Sequence, residues 1–214
     1  MSIKNHPGTS TEESTEAKHF ADGNSTTSFV SGEILLPVNQ LIEDEVSDFL
    51  GKPYQSEYDP KDVERFLLGR INKRLFSENV EHGLKGKSAH SPLRGLPFWV
   101  VAECIRNREL KHTGLIGKSK ATAELMTYEN EGSNKGLYVP AEEHTNVLAR
   151  QYNRALSTKD VKDVVAYVRD LAPLLKESEG NDVVALANGL FDLRSKKLRP
   201  FSPEVVLTSK ASVA

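Results

Sequence analysis

The chain has one cysteine, one tryptophan and two methionines in 214 residues. A lone thiol, Cys104, excludes an internal disulfide and a zinc site built from several cysteines, and it suits a reducing cytoplasm. No stretch approaches the ~20 apolar residues of a membrane-spanning helix, so no membrane partner is expected. The N-terminus, Met1-Ser2-Ile3-Lys4-Asn5-His6-Pro7, lacks the apolar core of a secretory signal. A net charge of −2 excludes a uniformly basic nucleic-acid coat.

A true nucleotide-binding loop is also missing. Gly83-Leu84-Lys85-Gly86-Lys87-Ser88 and Gly114-Leu115-Ile116-Gly117-Lys118-Ser119 both read Gly-x-x-Gly-Lys-Ser. A P-loop keeps four residues between its glycines so that successive N–H groups surround a phosphate. The required first glycine would fall where Glu81 and His112 stand. No Ser/His/Asp arrangement is discernible, and the histidines have no ligand spacing. Glu142, Glu143 and His144 are adjacent, so on a helix they point apart, and the two glutamates suit its positive end. The sequence therefore predicts no catalytic residue, no cofactor and no metal site, and no catalytic activity from this chain alone.

What is present is an uneven charge distribution. Residues 1–64 carry 4 Lys/Arg against 13 Asp/Glu, residues 65–120 carry 12 against 4, and residues 121–214 carry 12 against 13. The basic middle is either a solvated surface or a phosphate-facing patch whose affinity is electrostatic and salt-dependent. Within it, glycine lets the backbone of both Gly-x-x-Gly loops approach a phosphate, while Lys85, Lys87, Lys118 and Lys120 add charge. A second basic cluster, Arg194, Lys196, Lys197 and Arg199, is a solubilising turn or a further nucleic-acid contact.

Residues 1–32 include eleven Ser/Thr and few large apolar side chains; such composition predicts a disordered tail. Apolar spacing then predicts helices over 38–50, from Asp59-Pro60 to about 76, and from Pro97 to about 110. Residues 77–95 read as loop, and so does the Gly/Lys-rich stretch after Leu110. Leu125–Tyr128 and Gly136–Val139 predict a hairpin. A helix from Pro140 buries Val147, Leu148, Tyr152, Ala155 and Leu156. Another follows a capping box at Ser157–Asp160 and ends by Pro173. Val183–Leu193 predicts a second hairpin, turned by the positive φ angles of Asn188-Gly189; Leu198 and Phe201 extend it. The fold class is α+β, mostly α-helical with small antiparallel hairpins.

Val184-Ala185-Leu186-Ala187-Asn188-Gly189-Leu190-Phe191-Asp192-Leu193-Arg194, followed by Lys197-Leu198-Arg199-Pro200-Phe201-Ser202-Pro203, resembles a signature of phage and plasmid primase–helicases. These are superfamily 3 helicases related to the poxvirus primase–helicase. In that family an Asn-Gly-x-x-Asp/Asn-Leu run and a Leu-x-Pro-x-Ser-Pro run end the domain before the ATPase. Asn188, Gly189, Asp192, Leu193, Pro200 and Pro203 are matched to them as structural positions. Tyr128-Glu129 with Gly136-Leu137-Tyr138 is similar to the family's Tyr-Asp … Gly-x-Tyr hairpin. The resemblance covers roughly residues 97–205 and implies a non-catalytic helical domain between primase and helicase modules, one that positions DNA or organises the hexameric ring. The expected division is a tail at 1–32, a helical region with a basic loop at 33–96, the helicase-associated domain at 97–205, and a truncated linker at 206–214 leading to an ATPase that the chain lacks.

The expected function is a cytoplasmic DNA-replication accessory domain of a mobile element. Its partners are single-stranded or forked DNA and a helicase/ATPase module or further copies of itself. A winged-helix-like regulator using Asn146, Arg150, Gln151, Asn153 and Arg154 beside the first hairpin is the alternative, as is a protein–protein adaptor.

Overall fold

The computed structural model describes residues 29–30, 33–53, 58–178 and 182–211. Apart from Phe29–Val30, the tail expected over 1–32 lies outside the described residues. Phe29–Val30 (β1) and Glu33–Ile34 (β2) form a short antiparallel pair.

Helix α1, Val38–Leu50, buries Leu41, Ile42, Val46 and Phe49, one stripe of an amphipathic helix. Helix α2, Pro60–Glu81, starts as the sequence predicts: the Asp59 carboxylate accepts from the Asp62 amide, and proline occupies the first turn. It buries Val63, Leu67, Ile71 and Leu75. It runs a turn beyond the expected end at 76, because its last turn is held from outside. Glu78 is buried and pairs with His82 at 3.3 Å, while the Asn79 side chain exchanges two hydrogen bonds with the backbone of His90.

Helix α3, Phe98–Cys104, is fully apolar on its core side, and Cys104 is a packed residue there. It widens into a π-type turn at Ile105–Glu109, closed by the Leu110 amide on the Ile105 carbonyl at 2.9 Å. Asn107 supplies a cause: its side-chain amide takes the Glu103 carbonyl, an insertion that interrupts the regular ladder.

The stretch expected to be loop after Leu110 contains a strand, β3 (Thr113–Ile116), paired antiparallel with β4 (Glu124–Tyr128). β4 pairs in turn with β5 (Tyr138–Pro140), the expected hairpin, in the register Tyr128 opposite Tyr138. Pro140 thus ends a strand, and helix α4 begins two residues later, Glu142–Tyr152, behind a buried Ala141. Its core face is Thr145, Leu148, Ala149 and Tyr152. Val147, expected inside, is half exposed, because its place two residues from both Thr145 and Ala149 puts it on the opposite side of the helix. Helix α5, Thr158–Leu171, carries the predicted capping box and buries Val161, Val164, Val165 and Val168. Leu174–Leu175 (β6) then pairs parallel with β3, giving the sheet order β5-β4-β3-β6.

The five helices enclose the main core, in which Leu67, Ile71, Val100, Tyr152 and Val164 are at most 1% exposed. Each large apolar side chain buried there is worth about 1.5–3 kcal/mol. A second sheet, β7 (Val183–Leu186), β8 (Gly189–Asp192) and β9 (Lys197–Arg199), is antiparallel throughout. Among the described residues no helix is long and apolar enough to cross a membrane.

Candidate nucleic-acid interface

The two Gly-x-x-Gly-Lys-Ser stretches fold differently. In the first, Gly83 and Gly86 have φ of +62° and +60°, a left-handed backbone that glycine adopts without penalty. A single 3₁₀ turn, Gly86–Ser88, follows. The loop is laced back along α2 by two asparagines: Asn79 bonds to His90, and Asn72 exchanges hydrogen bonds of 3.0 and 2.7 Å with Leu93. Lys85 and Lys87 stand out from it, exposed.

In the second stretch the glycines serve packing rather than access to a phosphate. Gly114 lies inside β3, where a Cβ would come within 2.4 Å of the Leu175 side chain; at Gly117 it would meet the Ala123 backbone at 2.6 Å. The notion that this backbone is open to a ligand is therefore corrected: it is committed to a strand and a tight return. The connection beyond is fastened by Arg169 of α5, which donates to the carbonyls of Lys120 and Ala123. Lys118 and Lys120 project from it into solvent.

The third basic group sits on the turn from β8 to β9. One Asp192 carboxylate oxygen accepts from the amides of Arg194 (3.0 Å) and Ser195 (2.8 Å), an Asx turn, and Lys196 takes a left-handed φ of 57°. These amides, Ser195 foremost, hold the Asp192 carboxyl below its ordinary range. Arg194 pairs with Asp182 at 2.7 Å, so its charge is partly answered, whereas Lys196, Lys197 and Arg199 are exposed.

This geometry revises the Asn188-Gly189 turn. Leu186 pairs with Gly189, so the two turn residues are Ala187 and Asn188, and neither has a positive φ. Gly189 opens β8 and is glycine for a different reason: a Cβ there would lie 2.6 Å from the Arg199 carbonyl oxygen of β9.

The basic middle is less free than its sum of charge implies. Arg70 of α2 is held by Glu45 and Asp48 of α1, each at 2.7 Å. Arg65, Arg74 and Arg106 pair with Asp62, Glu78 and Glu103 on their own helices. Arg108, buried, reaches the Tyr58 carbonyl, the Tyr152 hydroxyl and Glu109. Lys85, Lys87, Lys118 and Lys120 have no ion pair among the described residues. Among the described residues no hydrogen bond or ion pair joins the three basic groups to one another, and each belongs to a separate loop.

Two of the five residues for a winged-helix reading are tied into the fold, while Gln151 and Arg154 are exposed. Asn153 is buried, donates to the Leu96 carbonyl at 2.9 Å and accepts from the Ala155 amide, and Arg150 donates to the Leu156 carbonyl. One pairing of cations is not apparent from the sequence: Arg106, within the π-type turn, and Lys111, just after it, line one cleft.

The signature runs, by contrast, meet in space. Gly136, with φ of +85°, lies against Phe201, whose Cδ1 would be 2.0 Å from a Cβ there. The Tyr138 hydroxyl donates to the Pro203 carbonyl at 2.7 Å, and its amide donates to the Leu207 carbonyl at 2.8 Å. Leu137 packs with Ala185 and Leu190 of the second sheet. The Gly-x-Tyr strand and the Leu-x-Pro-x-Ser-Pro exit are thus two halves of one joint between the sheets.

These features define a mostly helical α+β module with a short strand pair, two larger sheets and basic loops. Residues 100–214, more than half of the chain, match the family described as D5 N terminal like, and the chain belongs to that family. Its domain is the region preceding the ATPase in D5-like primase–helicases of phages and poxviruses. No curated protein matches the chain.

Proposed function

We propose that the chain is a non-catalytic replication accessory module that holds single-stranded or forked DNA by its phosphates and delivers it to a helicase/ATPase module. The observation that carries this reading is the division of labour among the cations. Five of the six arginines of the basic middle form ion pairs within the fold, exposed Arg94 being the exception, while Lys85, Lys87, Lys118 and Lys120 are exposed and without an ion pair among the described residues, on fastened loops. Such lysines attract phosphate as point charges, without reading sequence. Lys196, Lys197 and Arg199 extend the same chemistry to the β8–β9 turn. The buried single thiol suits work in a reducing cytoplasm.

Fluorescence anisotropy with single-stranded, forked and duplex oligonucleotides across a salt series tests this. Each released counterion contributes roughly −0.7 to −0.9 to the log–log slope. Replacing the four loop lysines by Ala should weaken binding to all sequences alike and flatten the slope. Absence of binding by the wild-type chain at low salt, where attraction is greatest, rejects the reading.

A further inference from the structure

A cleft of about 260 Å³ lies between the end of α3 and the end of α5, roofed by the start of β3. Its lining divides in two. One wall is aliphatic, with Leu110 and Val168 buried, Leu171 50% exposed, and Pro173 beyond it. The other is polar, formed by Arg106, Asn107, Lys111 and Thr113. No carboxylate lines it.

The polar wall has capacity left over. Arg106 gives one Nη2 bond to Glu103 at 2.8 Å, yet its Nε is buried with no hydrogen-bond partner among the described residues. A guanidinium nitrogen in that position costs free energy unless an acceptor arrives. Lys111 is exposed and has no ion pair among the described residues. Beside the cleft Leu174 is 44% exposed, which extends the apolar surface along β6. A half-exposed leucine pair beside two cations is surface that a partner would cover.

We propose that this cleft docks a short acidic–aliphatic peptide segment of a partner protein. An aliphatic side chain rests on Leu110, Val168, Leu171 and Pro173, and a neighbouring carboxylate accepts from Arg106 and Lys111. The charge of the lining selects an anion, and its aliphatic character selects a side chain over a nucleobase. Single-stranded bases are held on aromatic platforms, and this cleft contains no aromatic residue. The residues are separate from the four loop lysines, so this proposal and the DNA-contact reading stand or fall independently.

The probe is a fluorescein-labelled peptide in which aspartates flank a central pair of leucines, titrated with the full chain. Saturable binding is expected, with no binding of the same peptide carrying lysines for aspartates. K111E and L171S, both at exposed positions and checked for retained circular dichroism, should each weaken it about tenfold, while K85A/K87A should leave it unchanged. A charge-assisted contact of about 1.4 kcal/mol corresponds to that factor. Failure of the acidic peptide to saturate, or binding by K111E or L171S as tight as by the wild type, overturns the proposal. So does displacement of the peptide by a thymidine oligonucleotide whose own binding K111E abolishes, because the cleft is then a phosphate site.

Discussion

Replacing Gly136 by alanine tests the joint between the two sheets. Two costs add at this position. A φ of +85° is left-handed, and an L side chain there costs roughly 1–2 kcal/mol. The new Cβ would also stand 2.0 Å from Phe201 Cδ1, so the ring has to leave its seat. Overpacking of that kind costs about 1–3 kcal/mol. Gly136→Ala should therefore lose about 2–5 kcal/mol. Gly132→Ala is the control: its φ is +73°, but nothing lies within 4 Å of the added atom, so only the backbone cost applies. Urea unfolding of both variants gives the comparison, provided the slope is unchanged. Phe201→Ala closes the cycle. With the ring removed, the steric part of Gly136→Ala should vanish, leaving a coupling of about 1–3 kcal/mol between the two sites. Additivity within about 0.5 kcal/mol would refute the contact, and equal loss for Gly132→Ala and Gly136→Ala would refute the whole argument.

Three further outcomes are expected. Burial pushes the Cys104 thiol up to about 12, so at pH 8 it should react with a disulfide reagent only as fast as the chain unfolds, which absorbance kinetics in a urea series will show. Arg108→Met strips a buried cation from the Tyr58 carbonyl, Tyr152 and Glu109; the thermal midpoint should fall by an amount equivalent to about 3–5 kcal/mol. Asp192 has a folded pKa depressed below its ordinary 3.8, so its charge stabilises fully above that value and the benefit is lost as pH falls through the folded pKa. The stability gap between wild type and Asp192→Asn should accordingly be present at pH 7 and shrink by pH 2.

Much of the helical half was legible because its signals are local. The apolar stripe of α1, the Asp59-Pro60 start of α2 and the Ser157–Asp160 box each lie within one or two turns of chain. The errors share one physical origin, which is contact with distant residues. The last turn of α2 exists because His90 reaches Asn79, and β3 exists because Met126 and Leu174 flank it on either side. Gly114 sits in that strand, where local pattern reads a flexible glycine, since the Leu175 side chain fills the space a Cβ would need. Likewise Asn-Gly at 188–189 announced a hairpin correctly while misplacing its turn by one residue. The decisive partner, the Arg199 carbonyl, belongs to the next strand.

The cations of the candidate site are named by the sequence, but their pairing and surroundings are not. Counting charge along residues 65–120 treats every cation as equal, yet the fold separates them by chemistry. Arginine's planar fork satisfies several acceptors at once, and Arg70 and Arg108 are used in that way to join α1 to α2 and α3 to α4. Lys85, Lys87, Lys118 and Lys120, strongly hydrated and each with a single charged nitrogen, are left on the loops, and Lys73, Arg94 and Lys111 are likewise exposed without an ion pair among the described residues. Under the proposed reading, what a polyanion meets is therefore not the net charge of the segment but these unpaired cations. The α1 acids already bonded to Arg70, half-buried Glu45 and exposed Asp48, are less able to screen them. Neutralising Glu45 and Asp48 should consequently weaken the α1–α2 contact more than it raises affinity for DNA. Removing an acid of α1 that has no ion pair among the described residues, such as Glu43, should raise affinity with little effect on stability. The two effects separate in a paired measurement of urea midpoint and anisotropy, and a rise in DNA affinity for Glu45→Gln equal to that for Glu43→Gln would show that the ion pairs do not withhold those charges from the ligand.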